Sequence, residues 1–129
     1  MSELAKFLPA KYRHARPENT RWLKYAIEKG IVNPIPATGE VLRSDGTPFR
    51  QHDNAYGYKY IKVFMHRTWF SFYVHKAVYL KHTGAIPKNR ELDHIDRDRQ
   101  NNRAENIVAR TTFQNLRRRK SGRKIKPTF

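Results

Sequence analysis

The segment from Leu92 to Asn115 restricts the fold more than any other part of the chain. Its first residues, Leu92 to Ile95, are suited to a short strand. A polar loop without a single apolar residue follows, from Asp96 to Arg103. Asn106 to Arg110 then predicts a second strand, because apolar and β-branched residues return there. The segment therefore predicts two short strands that are joined by a polar loop.

The end of this segment carries the signal of a helix start. Thr111 and Gln114 have the spacing of a capping box, in which each side chain bonds the backbone N–H of the other residue. A helix is therefore predicted to begin at Thr111, with Asn115 in its first turn. Strand, loop, strand and helix follow one another within about thirty residues.

Three side chains of this unit have the chemistry that phosphodiester hydrolysis needs: Asp93, His94 and Asn115. A hard divalent cation takes oxygen ligands and stabilises charge on a phosphate. An imidazole can take a proton from attacking water near neutral pH. In an extended strand the neighbouring Asp93 and His94 side chains diverge. Either a bend brings them together, or the metal and the base lie on different sides of the phosphate.

The net charge indicates the binding partner. Lys and Arg number 27 against 11 acids, which gives +16 on 129 residues and a pI near 10.5. Such a field attracts polyanions, and nucleic acid is favoured over an anionic membrane because no basic amphipathic helix is evident. No apolar run is long enough for a membrane span and no secretory signal is evident, so a cytoplasmic protein is expected. The absence of cysteine excludes disulfides and thiolate zinc sites.

The acidic residues are concentrated near the polar loop. Five of the 11 lie within residues 91–105, namely Glu91, Asp93, Asp96, Asp98 and Glu105. A protein that binds phosphate has an electrostatic reason to avoid such a cluster unless a cation lies between carboxylate and phosphate. Turn-forming carboxylates and surface ion pairs are the alternative explanation.

The rest of the chain predicts an α+β protein. A helix is predicted from Asn19 to Lys29, and a three-stranded antiparallel sheet from segments 40–43, 58–65 and 68–74, with a turn at His66 and Arg67. A further helix is predicted from Val74 to His82, closed by Gly84. We divide the chain into residues 1–38, a basic arm with one helix, and residues 39–129, which hold the sheet, the strand–loop–strand–helix unit and a basic tail.

The ordered set Asp93-His94-Ile95-Asp96, Asn101-Asn102-Arg103, Asn106, Thr111 and Asn115 resembles the motif of HNH endonucleases, in the Asp-His…Asn…Asn form of phage and intron-type homing endonucleases. The resemblance implies a ββα-metal core with one Mg²⁺, for which Mn²⁺ substitutes, and hydrolysis of DNA. It implies metal ligation by Asp93 and Asn115, a general base at His94 and a loop-holding role for Asn106. Arg97 departs from the family pattern, which often has an Asp-Gly turn there.

The basic residues of the loop and tail are predicted to contact DNA phosphates. They are Arg97, Arg99, Arg103, Arg117, Arg118, Arg119, Lys120, Arg123 and Lys124. One motif predicts one active site, so we expect a monomer that nicks one strand of duplex DNA in the cytoplasm, that of a bacterial host if a phage encodes the chain. The alternatives are a non-catalytic DNA-binding protein with the same fold and an RNA-binding protein, which leaves the acidic cluster unexplained.

Overall fold

In the computed structural model, the described residues are 16–111, 113 and 114, with side chains described from Asn19 onward. Within these ranges there are two α-helices and seven strands, and residues 113 and 114 are helical as well. The elements, in chain order, are α1 (Arg16–Glu28), β1 (Asn33–Pro34), β2 (Val41–Leu42), β3 (His52–Asp53), β4 (Lys59–Met65), β5 (Thr68–Tyr73), α2 (Val74–Thr83), β6 (Arg90–His94), a 3₁₀ turn (Ala104–Asn106) and β7 (Ile107–Thr111). Neither helix is both long and apolar enough to cross a lipid bilayer.

Helix α1 confirms the helix predicted from Asn19 to Lys29, although it begins earlier. Trp22, Leu23 and Ala26 lie on one face and are at most 1% exposed. The helix ends before Gly30, whose φ of +74° is the left-handed conformation that favours glycine after a helix. The apolar face packs into the common core with the sheet and α2.

The three-stranded antiparallel sheet exists, but one of its predicted strands was wrong. Its order is β3-β4-β5, and its third member is His52–Asp53 rather than residues 40–43. Val41 and Leu42 instead pair with Pro34 and Asn33 in a separate hairpin. A two-residue strand has no alternation that could predict its partner, so burial of Val41 in the core decides the pairing. The predicted boundary between residues 38 and 39 falls inside this hairpin.

The long hairpin of β4 and β5 agrees with its sequence pattern. Its inner face is buried, and its outer face carries Lys62, Phe64, Trp69 and Tyr73, which are exposed. The predicted turn at His66 and Arg67 is confirmed, since both have positive φ as a two-residue turn of this type requires. The inner-face residues are Ile61, Val63, Met65, Phe70 and Phe72.

Helix α2 and the ribbon of β6 and β7 complete the fold. The predicted helix from Val74 is confirmed, and it ends at Gly84 in the left-handed conformation with φ of +91°. Strands β6 and β7 pair in antiparallel fashion over five residues each, within one or two residues of the predicted bounds. Ile107 is buried and Leu92 is partly buried, so the ribbon is fastened to the core along one face.

The predicted capping box is present at the end of β7. The N–H of Thr111 donates to Gln114 Oε1 at 2.9 Å, and the N–H of Gln114 donates to Thr111 Oγ1 at 3.1 Å. Residues 113 and 114 are helical. Antiparallel strand, loop, strand and helix start thus follow in the predicted order.

Candidate active site

The regular register of β6 and β7 decides how Asp93 and His94 are placed. Asp93 pairs with Val108 and His94 with Ile107, without a bulge. Successive side chains of a strand point to opposite faces, so the two residues lie on opposite sides of the ribbon. His94 is on the face that meets the core and is 3% exposed. The sequence left open whether a bend brings the two side chains together. The ribbon has no such bend.

The His94 imidazole is held by a side chain of the polar loop. Its Nε2 lies 2.7 Å from Asn102 Oδ1, and Asn102 is also 3% exposed. An amide oxygen can only accept, so Nε2 carries the hydrogen and Nδ1 of the neutral ring carries the lone pair. The rings of His75 and Tyr58 lie 5.2 and 6.2 Å from the His94 ring and pack beside it.

Asn106 holds the polar loop in place through both ends of its carboxamide. Its Oδ1 accepts from the Asp96 N–H at 3.1 Å. Its Nδ2 donates to Asp96 Oδ1 at 2.8 Å and to the Asn101 carbonyl at 2.9 Å. The backbone carbonyl of Asn106 accepts from the Ile95 N–H at 2.8 Å, directly after His94. The side chain is buried, so these bonds fix the loop that starts at the histidine.

Asp96 is the acceptor around which the loop is organised. Asn101 Nδ2 donates to its Oδ2 at 2.8 Å and the Asp98 N–H donates to its Oδ1 at 2.8 Å. Donation from Asn101, then from the Asp98 backbone and from Asn106, lowers the pKa of Asp96 to about 2. The carboxylate is therefore ionised near neutral pH. Its position explains one of the clustered acids as loop structure.

The Asp93 carboxylate faces a cation of the neighbouring strand. Arg110 Nε lies 3.1 Å from Asp93 Oδ2, and both side chains are 28% exposed. The N–H of Arg110 is not aligned for a hydrogen bond, so the contact is electrostatic. Asp93 supplies the hard oxygen donor that Mg²⁺ prefers, and any cation bound there competes with this guanidinium.

Comparison with known proteins locates the same segment. A family model described as HNH endonuclease matches residues 72–117, which contain α2, the ribbon and the polar loop. Residues 72–117 are therefore identified as an HNH endonuclease segment. No match was found among curated proteins.

A solved structure agrees with this HNH assignment. The chain is similar to the HNH homing endonuclease I-HmuI, with a TM-score of 0.59 and 26% sequence identity. The similarity covers 67% of this chain and 51% of the other, so the chain spans about half the length of that protein. I-HmuI is described by its DNA binding and cleavage. An α+β fold with small antiparallel sheets is thus common to both.

The loop arginines of the HNH segment differ in their surroundings. Arg99 lies over the Tyr58 ring at 4.6 Å and donates to the Tyr56 carbonyl, so it joins the loop to the turn before β4. Arg103 lies 3.4 Å from Glu105 and donates to Asn101. Arg97 is exposed and has a φ of +64°. This left-handed conformation favours glycine, the residue that an Asp-Gly turn would place here. Arg97 and Arg103 remain predicted phosphate contacts, and Arg99 has a structural role as well.

Two residues of the HNH site were missed as site residues by the sequence analysis. Asn102 was noted only within the motif. Its neighbour Asn101 has the same side chain, so the sequence does not show which of the two contacts His94. His75 was not among the predicted site residues, and it is 8% exposed. Its contact with His94 was not foreseen, because the two are distant in sequence. Burial, followed by repulsion from His94 and Lys76, lowers the pKa of His75 to about 3.

Other predicted site residues lie outside the described residues. Among the ranges that the structure describes, no three His, Asp or Glu side chains form a cluster able to hold a metal ion. The second predicted metal ligand, Asn115, is outside those ranges. So are the tail residues Arg117, Arg118, Arg119, Lys120, Arg123 and Lys124.

Proposed function

We propose that this HNH protein is a metal-dependent endonuclease that hydrolyses phosphodiester bonds of duplex DNA. The observation that carries the proposal is the His94 imidazole, which is fixed by Asn102 at the start of a loop that Asn106 braces. A histidine held in one orientation and one tautomer is suited to general-base catalysis. The family match and the similarity to a DNA-cleaving homing endonuclease support the same reaction.

His94 takes a proton from the attacking water. Because Nε2 donates to Asn102, Nδ1 is the atom that accepts this proton. The Asn102 carbonyl oxygen then stabilises the imidazolium through the same hydrogen bond. Asn106 acts on the backbone, since its carbonyl accepts from Ile95 and its side chain holds Asp96. Its role is positioning.

Asp93 and Asn115 are the residues that would hold one divalent cation, Mg²⁺ or Mn²⁺. When bound, the cation supplies charge stabilisation to the phosphate and to the leaving oxygen. The donor set fits a hard cation, because a carboxylate and a carboxamide offer only oxygen ligands. Asp93 and His94 lie on opposite faces of the ribbon, which suits ligand and base on different sides of one phosphate.

The charge of the chain supports DNA as the substrate. A net charge of +16 favours a polyanion, and the exposed Arg97 and Arg103 lie on the loop that follows His94. One HNH unit supplies one base, so a monomer that nicks one strand is the simplest enzyme consistent with it. A double-strand cut by two copies would require a two-fold dimer.

Plasmid nicking tests this function. Supercoiled plasmid with Mg²⁺ should convert first to open circle, and chelation of the metal should stop the reaction. His94→Ala should lower the rate by about 10²–10⁴ with DNA affinity retained, as loss of a general base does. The matched control is His82→Ala at an exposed position of α2, which should cleave as the wild type does.

The outcomes separate the proposal from its rivals. DNA binding without metal-dependent nicking would identify a non-catalytic DNA-binding protein instead. Linear product at the earliest times, together with a dimer mass in solution, would contradict the monomeric nicking enzyme. Wild-type rates in His94→Ala would contradict the assigned base.

A further inference from the structure

We propose that a groove beside the active site binds the phosphodiester backbone of one DNA strand, and we call it the α2 groove. It lies between the outer face of β4 and β5, the N-terminus of α2 and the start of β6, and it encloses about 950 Å³. The proposal rests on the proposed function for the identity of its ligand. It adds a substrate site that none of the HNH motif residues forms.

The charges that line the α2 groove come from separate elements. Lys62 is on β4, Lys76 on α2 and Arg90 on β6, while Lys88 is in the connection before β6. Glu91 is the one acid among the described lining residues. The fold brings these cations together from different segments, so the groove is not simply a run of basic residues in the sequence. Cations that converge on one concave surface attract an anion and repel one another without it.

The N-terminus of α2 adds to the positive potential of the groove. The helix has ten residues, and its first N–H groups have no acceptor within the helix. The N-cap residue Tyr73 makes no side-chain cap, and the first turn contains no acid. A helix N-terminus favours phosphate, because N–H groups and the helix dipole both point toward the anion.

An independent observation at the same place is a buried nitrogen without a partner. His75 lines the groove, and its Nδ1 has no hydrogen-bond partner among the described residues. Buried polar atoms are nearly always bonded, so such an atom calls for a ligand or a bound water. In the neutral ring Nδ1 can carry the proton, and a small shift of the buried ring would let it donate to a phosphate oxygen in the groove.

The position of the groove relates it to the scissile bond. Strand β6 forms one wall of the groove through Arg90, Glu91 and Leu92, and it ends at His94. Arg90 and His94 are four positions apart in the strand, about 13 Å at 3.3 Å per residue. Phosphates of one strand follow at about 3.4 Å along the duplex axis. With β6 aligned along the duplex axis, a phosphate at Arg90 lies about four nucleotides from the one at His94.

Salt-dependent DNA binding in the absence of metal tests the groove without requiring cleavage. Lys62→Ala, Lys88→Ala and Arg90→Ala should each weaken binding of a duplex, and each should reduce the log–log salt slope by about 0.9. The matched control is Lys81→Ala, an exposed lysine in the last turn of the same helix, which should bind as the wild type does. Wild-type affinity and slope in all three groove variants would overturn the proposal.

Backbone phosphate and free phosphate are distinguished by a second measurement. A neutral methylphosphonate can replace one phosphate of the DNA strand at a time. At about four nucleotides from the cut, this replacement should weaken binding by the wild type but not binding by Arg90→Ala. The assignment to a DNA strand would be overturned by two results together. Inorganic phosphate would shift the amide resonances of residues 74–76, and methylphosphonate would have no position-dependent effect. If the groove variants weaken DNA binding but the wild type does not nick DNA, the proposed nuclease function is refuted and the groove proposal stands. If the wild type nicks DNA but the groove variants bind as it does, the groove proposal is refuted and the nuclease function stands.

Discussion

Asn102 Oδ1 lies 2.7 Å from His94 Nε2, and each residue is only 3% exposed. In this setting the hydrogen bond selects the tautomer and the orientation of the imidazole. Water cannot replace a partner at a position that it does not reach, so loss of the amide leaves the Nε2 hydrogen unsatisfied. The activity of the proposed base therefore depends on a residue outside the predicted site.

Asn102→Ala should lower kcat by about 10- to 100-fold, the equivalent of a buried hydrogen bond of about 1–3 kcal/mol. KM should change little, because Asn102 is buried and does not reach DNA. Asn102→Asp keeps an acceptor at this position and should recover part of the rate. A folded Asn102→Ala protein with the wild-type kcat would contradict a positioning role.

Gly39 supports Asn102 from the loop between β1 and β2. A Cβ at Gly39 would lie 3.0 Å from the carbonyl carbon of Asn102, and φ there is +82°. Gly39→Ala should therefore displace Asn102 and lower the cleavage rate about 10-fold or more. Gly30→Ala is the control, because its φ is +74° and its Cβ would meet nothing within 4 Å.

The two glycine variants should lose stability through the same backbone strain, about 1 kcal/mol or more. They should differ in activity. Only Gly39→Ala should lose more activity than its unfolded fraction accounts for. Thermal unfolding and single-turnover nicking measure the two effects separately. Equal activity of the two variants would show that the Gly39 contact does not reach the site.

Arg110 competes with any cation for the Asp93 carboxylate across 3.1 Å. Arg110→Ala should raise the affinity of the free protein for Mn²⁺ by up to about fivefold, the equivalent of a partly exposed ion pair of up to about 1 kcal/mol. Calorimetry measures the change. Arg103→Ala, which breaks the exposed pair with Glu105, should leave metal affinity unchanged. Weaker Mn²⁺ binding by Arg110→Ala would place the cation elsewhere.

The buried His75 should make the protein sensitive to mild acid. Its pKa is lowered from 6.5 to about 3, chiefly by burial. The unfolded chain therefore binds this proton between those values while the folded chain does not, and stability falls as the pH falls below 6.5. The expected slope is up to about 1.4 kcal/mol of unfolding free energy per pH unit.

Urea unfolding between pH 7 and 4.5 measures this dependence. His75→Phe keeps a ring beside Tyr58 and Tyr73 and removes the titrating group, so it should flatten the slope. The same substitution at the exposed His82 should leave the slope as it is. An unchanged slope in His75→Phe would assign the acid sensitivity to other groups.

The sequence by itself determined the strand–loop–strand–helix unit and the residues of its motif. These features are local: the Thr111–Gln114 box, the turn of Asp96 to Asn101 and the strands that contain Asp93 and His94 are encoded within a few positions. Hydrogen bonds over short spacings and apolar periodicity depend on neighbouring residues, so a single chain displays them. The helix that corresponds to α1 was predicted for the same reason.

Only the tertiary structure decided what surrounds His94. His75 is nineteen positions away in the chain, Gly39 approaches Asn102 from another hairpin, and Arg99 reaches Tyr58 across the molecule. Burial of Val41 moved a predicted strand out of the three-stranded sheet, and convergence of Lys62 with Arg90 formed the α2 groove. Such partners are selected by burial in a shared core and by register between distant segments, which no local pattern records.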